Sequence, residues 1–589
     1  MSPPFFAGIV HRKEEYNACS GSREGFMQKL QIFVVKSQAS FRVGLIRNPR
    51  HQSDLAGDQG RNGVILTPRQ TSSQAYEALQ IWESRFRGKT KFLWWHILAR
   101  RQGQDQMDPP SALGGACLDD ELLPRLYEIL GGRILSEQRL MSALRQEGFW
   151  PSDISRAIDL AVYREELTQF PGFQTASWGR KICSRCHSEE TKATPCLLCG
   201  ERDCLLCITC ASMGEHRSCS TLLTLGRPKE GDCGGEPIEW PRLELTYQLT
   251  MSQQQASEGL LQFWEEGEGK ALVWAACGAG KTEVTFALIQ RALSEGAEVL
   301  FAIPRQDIVR EMTERLRLAF PNVTVASHYG GQPWLAPGEL VVATTHQVLH
   351  FYQRFKLAIL DEVDAFPYQG CEMLRQGIER ALVPHGKLVE MTATPHSRRE
   401  YKHVITIPAR YHGFALPEPE LVVSRLQPWK TMQTLDLPPR ILETLELNPH
   451  PWLIFAPTIE ACTRLRDMLM EALGKPVGLC HSKVENRAEV VEQLRDGRLD
   501  LIVTTSVLER GVNFPGVGVI VLYADHAVFT VSALVQIAGR VGRQAESPRG
   551  TVLFVAARIT GTMKKARGLI QHLNLQARER GLLQHEKVT

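Results

Sequence analysis

Apolar and polar positions follow three rhythms along this chain. Beyond residue 245, short unbroken apolar runs recur: ALVWAAC, EVLFAIP, ELVVATT, LAILDEVD and KLVEMTATP, then PWLIFAP, LDLIVTT and VGVIVLY. Stretches of helical length separate them. Continuous apolar strands alternating with helices predict parallel sheets buried on both faces. The runs fall into two sets, which predicts an α/β fold with two parallel-sheet domains, 240–408 and 409–589.

A second rhythm, of helical period, runs from Ser72 to about Gln169. LLPRLYEILGG closes on a glycine pair that suits a helix stop, and SEQRLMSALRQEGF opens at Ser136, a helix-capping residue. PSDISRAIDLAVYREEL offers Pro151 and Ser152 as a further helix start. Residues 66–175 therefore predict a helical domain. Three short helices ahead of a metal site can form a winged-helix DNA reader, but a helical spacer is the simpler expectation. The Phe92–Trp95 aromatics read as core rather than as a base-stacking platform. In segment 1–65, KLQIFVVK and SFRVGLI predict two short strands able to pair as a hairpin, and the polar 47–63 stretch predicts a loop.

The third rhythm is that of cysteine. Eight of the 15 cysteines lie between 183 and 219, as CSRC, CLLC, CLLCITC and Cys219. Two thiolates spaced by two residues reach one tetrahedral ion from a tight turn, so 176–225 predicts a zinc module. Such clustering fits a reducing compartment better than a disulfide scaffold. His187 and Glu189 with Pro195, Cys196 and Cys199 match the elements of a zinc deaminase. Cys196 follows Glu189 by only seven positions, too few for the strand and helix that must join those elements. The Gly/Pro-rich stretch 226–237 predicts a linker.

Bulk properties change little. With 589 residues the chain exceeds a single core. A net charge of +3 neither demands nor excludes nucleic acid, because binding needs a local basic groove. No apolar run approaches the roughly 18 residues of a membrane span, and the N-terminus lacks a signal-peptide pattern, so the cytoplasm is expected.

Chemistry enters with WAACGAGKTE (Trp274–Glu283), between a strand and a helix. In such a loop, backbone N–H groups and a helix N-terminus cradle phosphates. Ala275 stands where the strict pattern has glycine; Gly278, Ala279 and Gly280 make the turn. Lys281 is expected to meet the β/γ phosphates of ATP and Thr282 to bind Mg²⁺, with Glu283 beginning the helix. Asp361 and Glu362 follow an apolar run, where the first can hold Mg²⁺ and the second can orient the attacking water. EMTATP adds the hydroxyls of Thr392 and Thr394. In QIAGRVGR, Arg540 and Arg543 are expected on one side of a helical turn, as cationic fingers on the γ-phosphate.

The ordered set LTMSQ, AACGAGKT, AIPR, DEVD, TATP, TTSVLERG and QIAGRVGR, over roughly 245–560, resembles a superfamily 2 helicase core. The resemblance implies tandem RecA-like domains with adenine recognition by Gln253. It places Pro304, Arg305, Thr344 and Thr345 along a single-strand backbone. Thr505, Arg510 and Gly511 would couple nucleotide to polymer, and Gln536 would position water. DEVD in place of DEAD and TAT in place of SAT speak against the RNA-remodelling branch.

CSRC and LLCITCASMG in front of such a motor, with DEVDAFPY and IPARYHGFALPEPE, resemble the late competence ComFA family over about 180–560. That resemblance implies a zinc site of Cys183, Cys186, Cys207 and Cys210, and a cytoplasmic motor on single-stranded DNA. It further implies ComFC-like and ComEC-like partners at the inner face of a membrane channel, and a role in uptake of transforming DNA. Cys196, Cys199, Cys204 and Cys219 are surplus to the family pattern and suggest a second zinc, with His187, His216 or Cys233 as substitutes. The rival readings are a primosomal-type restart helicase, whose zinc lies within or after the motor, and a zinc-ribbon scaffold with a decayed motor. Intact Lys281, Asp361, Glu362, Arg540 and Arg543 oppose the latter.

Overall fold

The computed structural model describes residues 31–36, 41–46, 62–65 and 121–584, except 165, 177–178, 226–240, 267–268, 331–336, 366–367, 369, 396–400, 425, 427–436, 438, 448–450 and 510–513. The aromatics of 92–95 lie outside the described residues. Strands β1 (Gln31–Lys36) and β2 (Phe41–Ile46) pair antiparallel as the expected hairpin, with Val34 opposite Val43. A third strand, β3 (Asn62–Ile65), pairs with β1 and takes up Asn62 and Gly63 from the stretch expected as loop.

The next unit contains helices Leu123–Leu130, Glu137–Gln146 and Pro151–Tyr163. The first stops at the Gly131–Gly132 pair, and Ser136 Oγ accepts from Arg139 N at 3.4 Å as a cap. Pro151 occupies the first turn of the third helix, but Trp150 rather than Ser152 holds the capping position. Leu126, Leu140, Leu144, Ile154 and Ile158 form its core.

The unit also carries a sheet that the helical reading did not contain. Strands β4 (Ile134–Ser136) and β5 (Leu167–Pro171) flank β10 (Thr221–Leu225), both antiparallel to it. Helix, strand, two helices, then two strands is winged-helix topology rather than that of an all-helical spacer. The sequence hides it because β4 has three residues and β10 lies beyond the cysteines. Residues 221–225, expected within the zinc module, thus belong to the preceding unit.

The cysteine module is an insertion between β5 and β10. It contains two antiparallel pairs, β6 (Phe173–Thr175) with β7 (Lys181–Cys183) and β8 (Thr191–Thr194) with β9 (Cys204–Cys207). Chain entering and chain leaving the module cross at Gly172. A Cβ there would sit 2.0 Å from the Arg217 carbonyl oxygen and 2.9 Å from that of Ser220.

In the first motor domain β11 (Lys270–Ala275), β12 (Val299–Ile303), β13 (Val325–His328), β14 (Leu340–Thr344), β15 (Phe355–Leu360), β16 (Leu382–Thr392) and β17 (His403–Ile407) form a parallel sheet. Its order is β13-β14-β12-β15-β16-β11-β17. In the second, β18 (Glu420–Val423), β19 (Trp452–Phe455), β20 (Gly478–Cys480), β21 (Leu501–Thr504), β22 (Gly518–Leu522) and β23 (Val552–Ala556) run β18-β23-β22-β19-β21-β20, also parallel. These are two tandem RecA-like domains. Four of the five strands absent from the sequence reading, β13, β17, β18 and β20, are sheet edges, where burial on both faces is not required.

The inserted module docks on the first motor domain. Phe173 and Cys183, Cys186, Cys207 and Cys210 pack with Val348, Leu349 and Phe351, just beyond β14. The buried Arg380 guanidinium fastens this contact, donating to the carbonyls of Ser184 (3.3 Å), Arg185 (2.8 Å) and Leu349 (2.7 Å). Gly172→Ala drives a methyl into two rigid carbonyls, and overpacking of this kind costs about 1–3 kcal/mol. A lower thermal midpoint for the variant checks this, and an unchanged midpoint refutes it.

Candidate nucleotide cleft and metal centres

The phosphate loop leaves β11 at Ala275, and Ala276 N donates to Ile407 O at 2.9 Å. Gly280 has φ +75, and a Cβ on it would lie 2.2 Å from Gln253 Nε2, so no other residue fits. Gln253 is buried against this loop. Its Nε2 donates to Ala279 O at 3.0 Å, and its Oε1 accepts from Thr250 N at 2.9 Å. Glu283 begins a 3-10 turn ahead of helix Phe286–Ser294 and pairs with Arg315. Lys281 Nζ lies 2.7 Å from Asp361 Oδ1. Burial opposes charge on Lys281, but Asp361 and then Glu362 outweigh it, so its pKa rises. Asp361 is also raised, by burial first, with Lys281 pulling the other way.

Asp361 and Glu362 leave the end of β15, with Glu362 in left-handed backbone at φ +56. Strain at such a non-glycine residue clusters at functional sites. Asp364 accepts from Thr392 Oγ1 at 2.8 Å, from Thr394 Oγ1 at 3.0 Å and from Ser532 Oγ of the second domain. Thr392 and Thr394 are 1% and 5% exposed and turn inward, so they face this interdomain network rather than a bound strand. Asp364 and Ser532 were missed. The second D of DEVD was the available signal for Asp364; Ser532 had none.

Helix Val531–Ala538 brings Gln536 from the second domain, with Cys277 Sγ at 3.4 Å from Gln536 Oε1. Arg540 and Arg543 lie in the turn beyond this helix, not on a helical face as expected, because the helix ends at Ala538 and Gly542 adopts φ +66. Arg540 is 1% exposed; Nε donates to Glu509 O at 3.1 Å, while Nη1 and Nη2 are buried with no partner among the described residues. Burial, then Arg543, lowers its pKa to about 9. A buried cation with two unsatisfied donor groups calls for an anion. Pro304, Arg305, Thr344, Thr345 and Thr505 sit at or just past the carboxyl ends of β12, β14 and β21. Thr345 is fully buried and Arg305 pairs with Asp307 at 3.0 Å. Arg510 and Gly511 lie outside the described residues.

Two thiol groups form in the inserted module: Cys183, Cys186, Cys207 and Cys210, and Cys196, Cys199, Cys204 and Cys219. Sulfur separations are 3.9 Å (Cys183–Cys210), 3.4 Å (Cys186–Cys207), 3.7 Å (Cys196–Cys219) and 3.8 Å (Cys204–Cys219). A tetrahedron with arms of about 2.3 Å has edges of about 3.8 Å, so both groups fit Zn²⁺. Arg185 Nε donates to Cys210 Sγ at 3.3 Å, an outer hydrogen bond of the kind that orients a ligand. His187 and His216 belong to neither group; His216 Nε2 bonds Gly172 O at 2.9 Å. Cys233 lies outside the described residues.

Arg540→Ala should lower ATP turnover by about 10³-fold or more, as loss of an arginine finger does; steady-state ATPase assays decide. Metal analysis of purified chain should find two zinc ions, and Cys204→Ser should leave one. A single zinc in the unaltered chain would refute the second centre.

Residues 127–224 match the competence protein ComFA N-terminal domain, 246–397 the type III restriction enzyme res subunit, and 436–545 the helicase conserved C-terminal domain. Competence protein ComFA of Bacillus subtilis (strain 168) is 34% identical over 67% of this chain and 86% of its own length. That of Streptococcus pneumoniae (strain ATCC BAA-255 / R6) is 35% identical over 68% and 91%. A solved structure of S. cerevisiae Dbp5 bound to RNA and ADP BeF3 aligns with TM-score 0.40 at 18% identity, covering 56% of this chain and 88% of that one. With a CxRC-type thiol module, a phosphate loop and a cleft whose polar residues are divided between two domains following in this order along the chain, the chain belongs to the ComFA family of competence proteins.

Proposed function

We propose that this chain is a DNA-dependent ATPase of helicase superfamily 2 that translocates on single-stranded DNA and powers uptake of transforming DNA during competence. The observation that carries the motor reading is the cleft itself: Lys281 pairs with Asp361 on one domain, and Arg540 on the other has buried donors with no partner among the described residues. ComFA membership supports the DNA substrate and the competence role.

Each residue has a part in this reading. Lys281 would leave Asp361 to meet the β/γ phosphates, and Asp361 with Thr282 would hold Mg²⁺, whose charge would neutralise phosphate oxygens. Glu362 and Gln536 hold the attacking water in line. Arg540 and Arg543 stabilise charge on the transferring phosphoryl group. Because Gln536, Arg540 and Arg543 belong to the second domain, the set is complete only when the domains close. Asp364, holding Thr392, Thr394 and Ser532 together, is placed to pass closure from nucleotide to polymer. The thiol groups hold structural Zn²⁺ with no open position for chemistry.

Among the described residues no helix is long and apolar enough to cross a membrane. Work at the inner face of a channel would therefore run through partner proteins of the ComFC and ComEC kind. ATP turnover measured with single-stranded DNA, duplex DNA and RNA in turn should rise most with single-stranded DNA; strongest stimulation by RNA overturns the substrate. Lys281→Ala should abolish turnover while zinc content stays unchanged, and surviving turnover would refute the assigned site.

A further inference from the structure

The stretch IPARYHGFALPEPE joins the two motor domains, and one of its side chains is buried where the cleft is most crowded with positive charge. Arg410 lies three residues past β17 and is 2% exposed. Its neighbourhood already contains Arg543 and the backbone of the phosphate loop. Among the described residues its hydrogen bonds go to backbone carbonyls. Nε donates to Cys277 O in the phosphate loop at 2.9 Å. Nη1 donates to Val541 O at 2.7 Å and to Gly542 O, and Nη2 to Gly539 O at 3.0 Å. His412 repeats the contact two residues on. Its Nδ1 accepts from Phe414 N at 3.1 Å, so Nε2 carries the proton and donates to Gly542 O at 3.0 Å.

These acceptors have a common meaning. Gly539, Val541 and Gly542 follow the C-terminal end of helix Val531–Ala538, where backbone carbonyls lack helical partners and a cation is favoured. That helix carries Gln536, and the same turn carries Arg540 and Arg543. Gly539 also packs closely against the first domain: a Cβ there would lie 2.4 Å from Cys277 Cβ. Burial lowers the Arg410 pKa to about 10, with Arg543 adding to the effect, so the charge is held against its surroundings. A lysine gathers its three donors on one nitrogen, whereas the planar fork spreads five over three nitrogens and reaches carbonyls on both domains from one side chain.

We propose that Arg410 is the positioning residue that fixes Gln536, Arg540 and Arg543 against the phosphate loop, by fastening the turn that carries the two arginines to the Cys277 carbonyl. The inference rests on the ATP site proposed above and deepens it. Arg410 touches no reacting atom; it acts through the arginines of the turn.

The test uses full-length protein in steady-state ATPase assays with single-stranded DNA. Arg410→Gln should lower kcat about 100-fold, the scale of a misplacement near 1 Å. KM for MgATP and affinity for single-stranded DNA should stay within about threefold, because ground-state binding is untouched. Arg410→Lys should recover part of kcat. Arg410→Gln combined with Arg540→Ala should be slower than Arg540→Ala alone by much less than 100-fold, since part of the Arg410 effect runs through Arg540 and the residues act as a unit. Wild-type kcat in Arg410→Gln or in Arg410→Lys, a rise in KM with kcat intact, or a multiplicative double variant overturns the proposal. If Arg410→Gln loses its cooperative melting transition, Arg410→Lys decides alone. Turnover surviving in Lys281→Ala would instead overturn the ATP site, whatever the Arg410 variants do.

Discussion

Positive charge in the cleft between the two parallel sheets is only partly answered by the protein. Among the described residues Lys281 has Asp361, but Arg540 has a single carbonyl and Arg410 has carbonyls alone. Desolvated cations are tolerated when an anion or a well-placed set of acceptors meets them. Nucleotide phosphates would supply that anion for Arg540 and draw Lys281 away from Asp361. The domains thus have an electrostatic reason to close on a phosphate, and much of the surrounding architecture serves to hold these cations in place.

The amino-terminal unit obeys a different constraint. The inserted module is too small to bury a core, and thiols fill the place that leucines hold elsewhere. Its first thiol group is half of an interface: the carbonyls of Ser184 and Arg185, inside the CSRC turn, are what Arg380 of the motor grips. The first thiol group and the docking contact onto the motor therefore share one turn. The winged-helix scaffold contributes a rigid base, with Gly172 O also accepting from His216 at the crossing point.

Much of the cleft was legible because its chemistry is local. A glycine-flanked lysine after an apolar strand, and an acidic pair after another, leave few alternatives. Both thiol groupings were legible from spacing and family resemblance together, even though the two sets interleave along the chain. Strands β4 and β10 were not legible, because pairing between residues 134–136 and 221–225 leaves no periodic trace in segments so short. Arg410 and Ser532 were invisible for a related reason: each has meaning only through residues more than a hundred positions away. The inward turn of Thr392 and Thr394 likewise needed Asp364 in view.

Strand β9 runs from Cys204 to Cys207, and its two ends belong to different thiol groups. Four residues of extended chain measure about 10 Å between the first and last Cα, a span too stiff to bend between them. Whatever shifts one end is felt at the other. The groups share no ligand, yet β9 ties them mechanically, so disorder in one thiol group should loosen the geometry of its neighbour without emptying it.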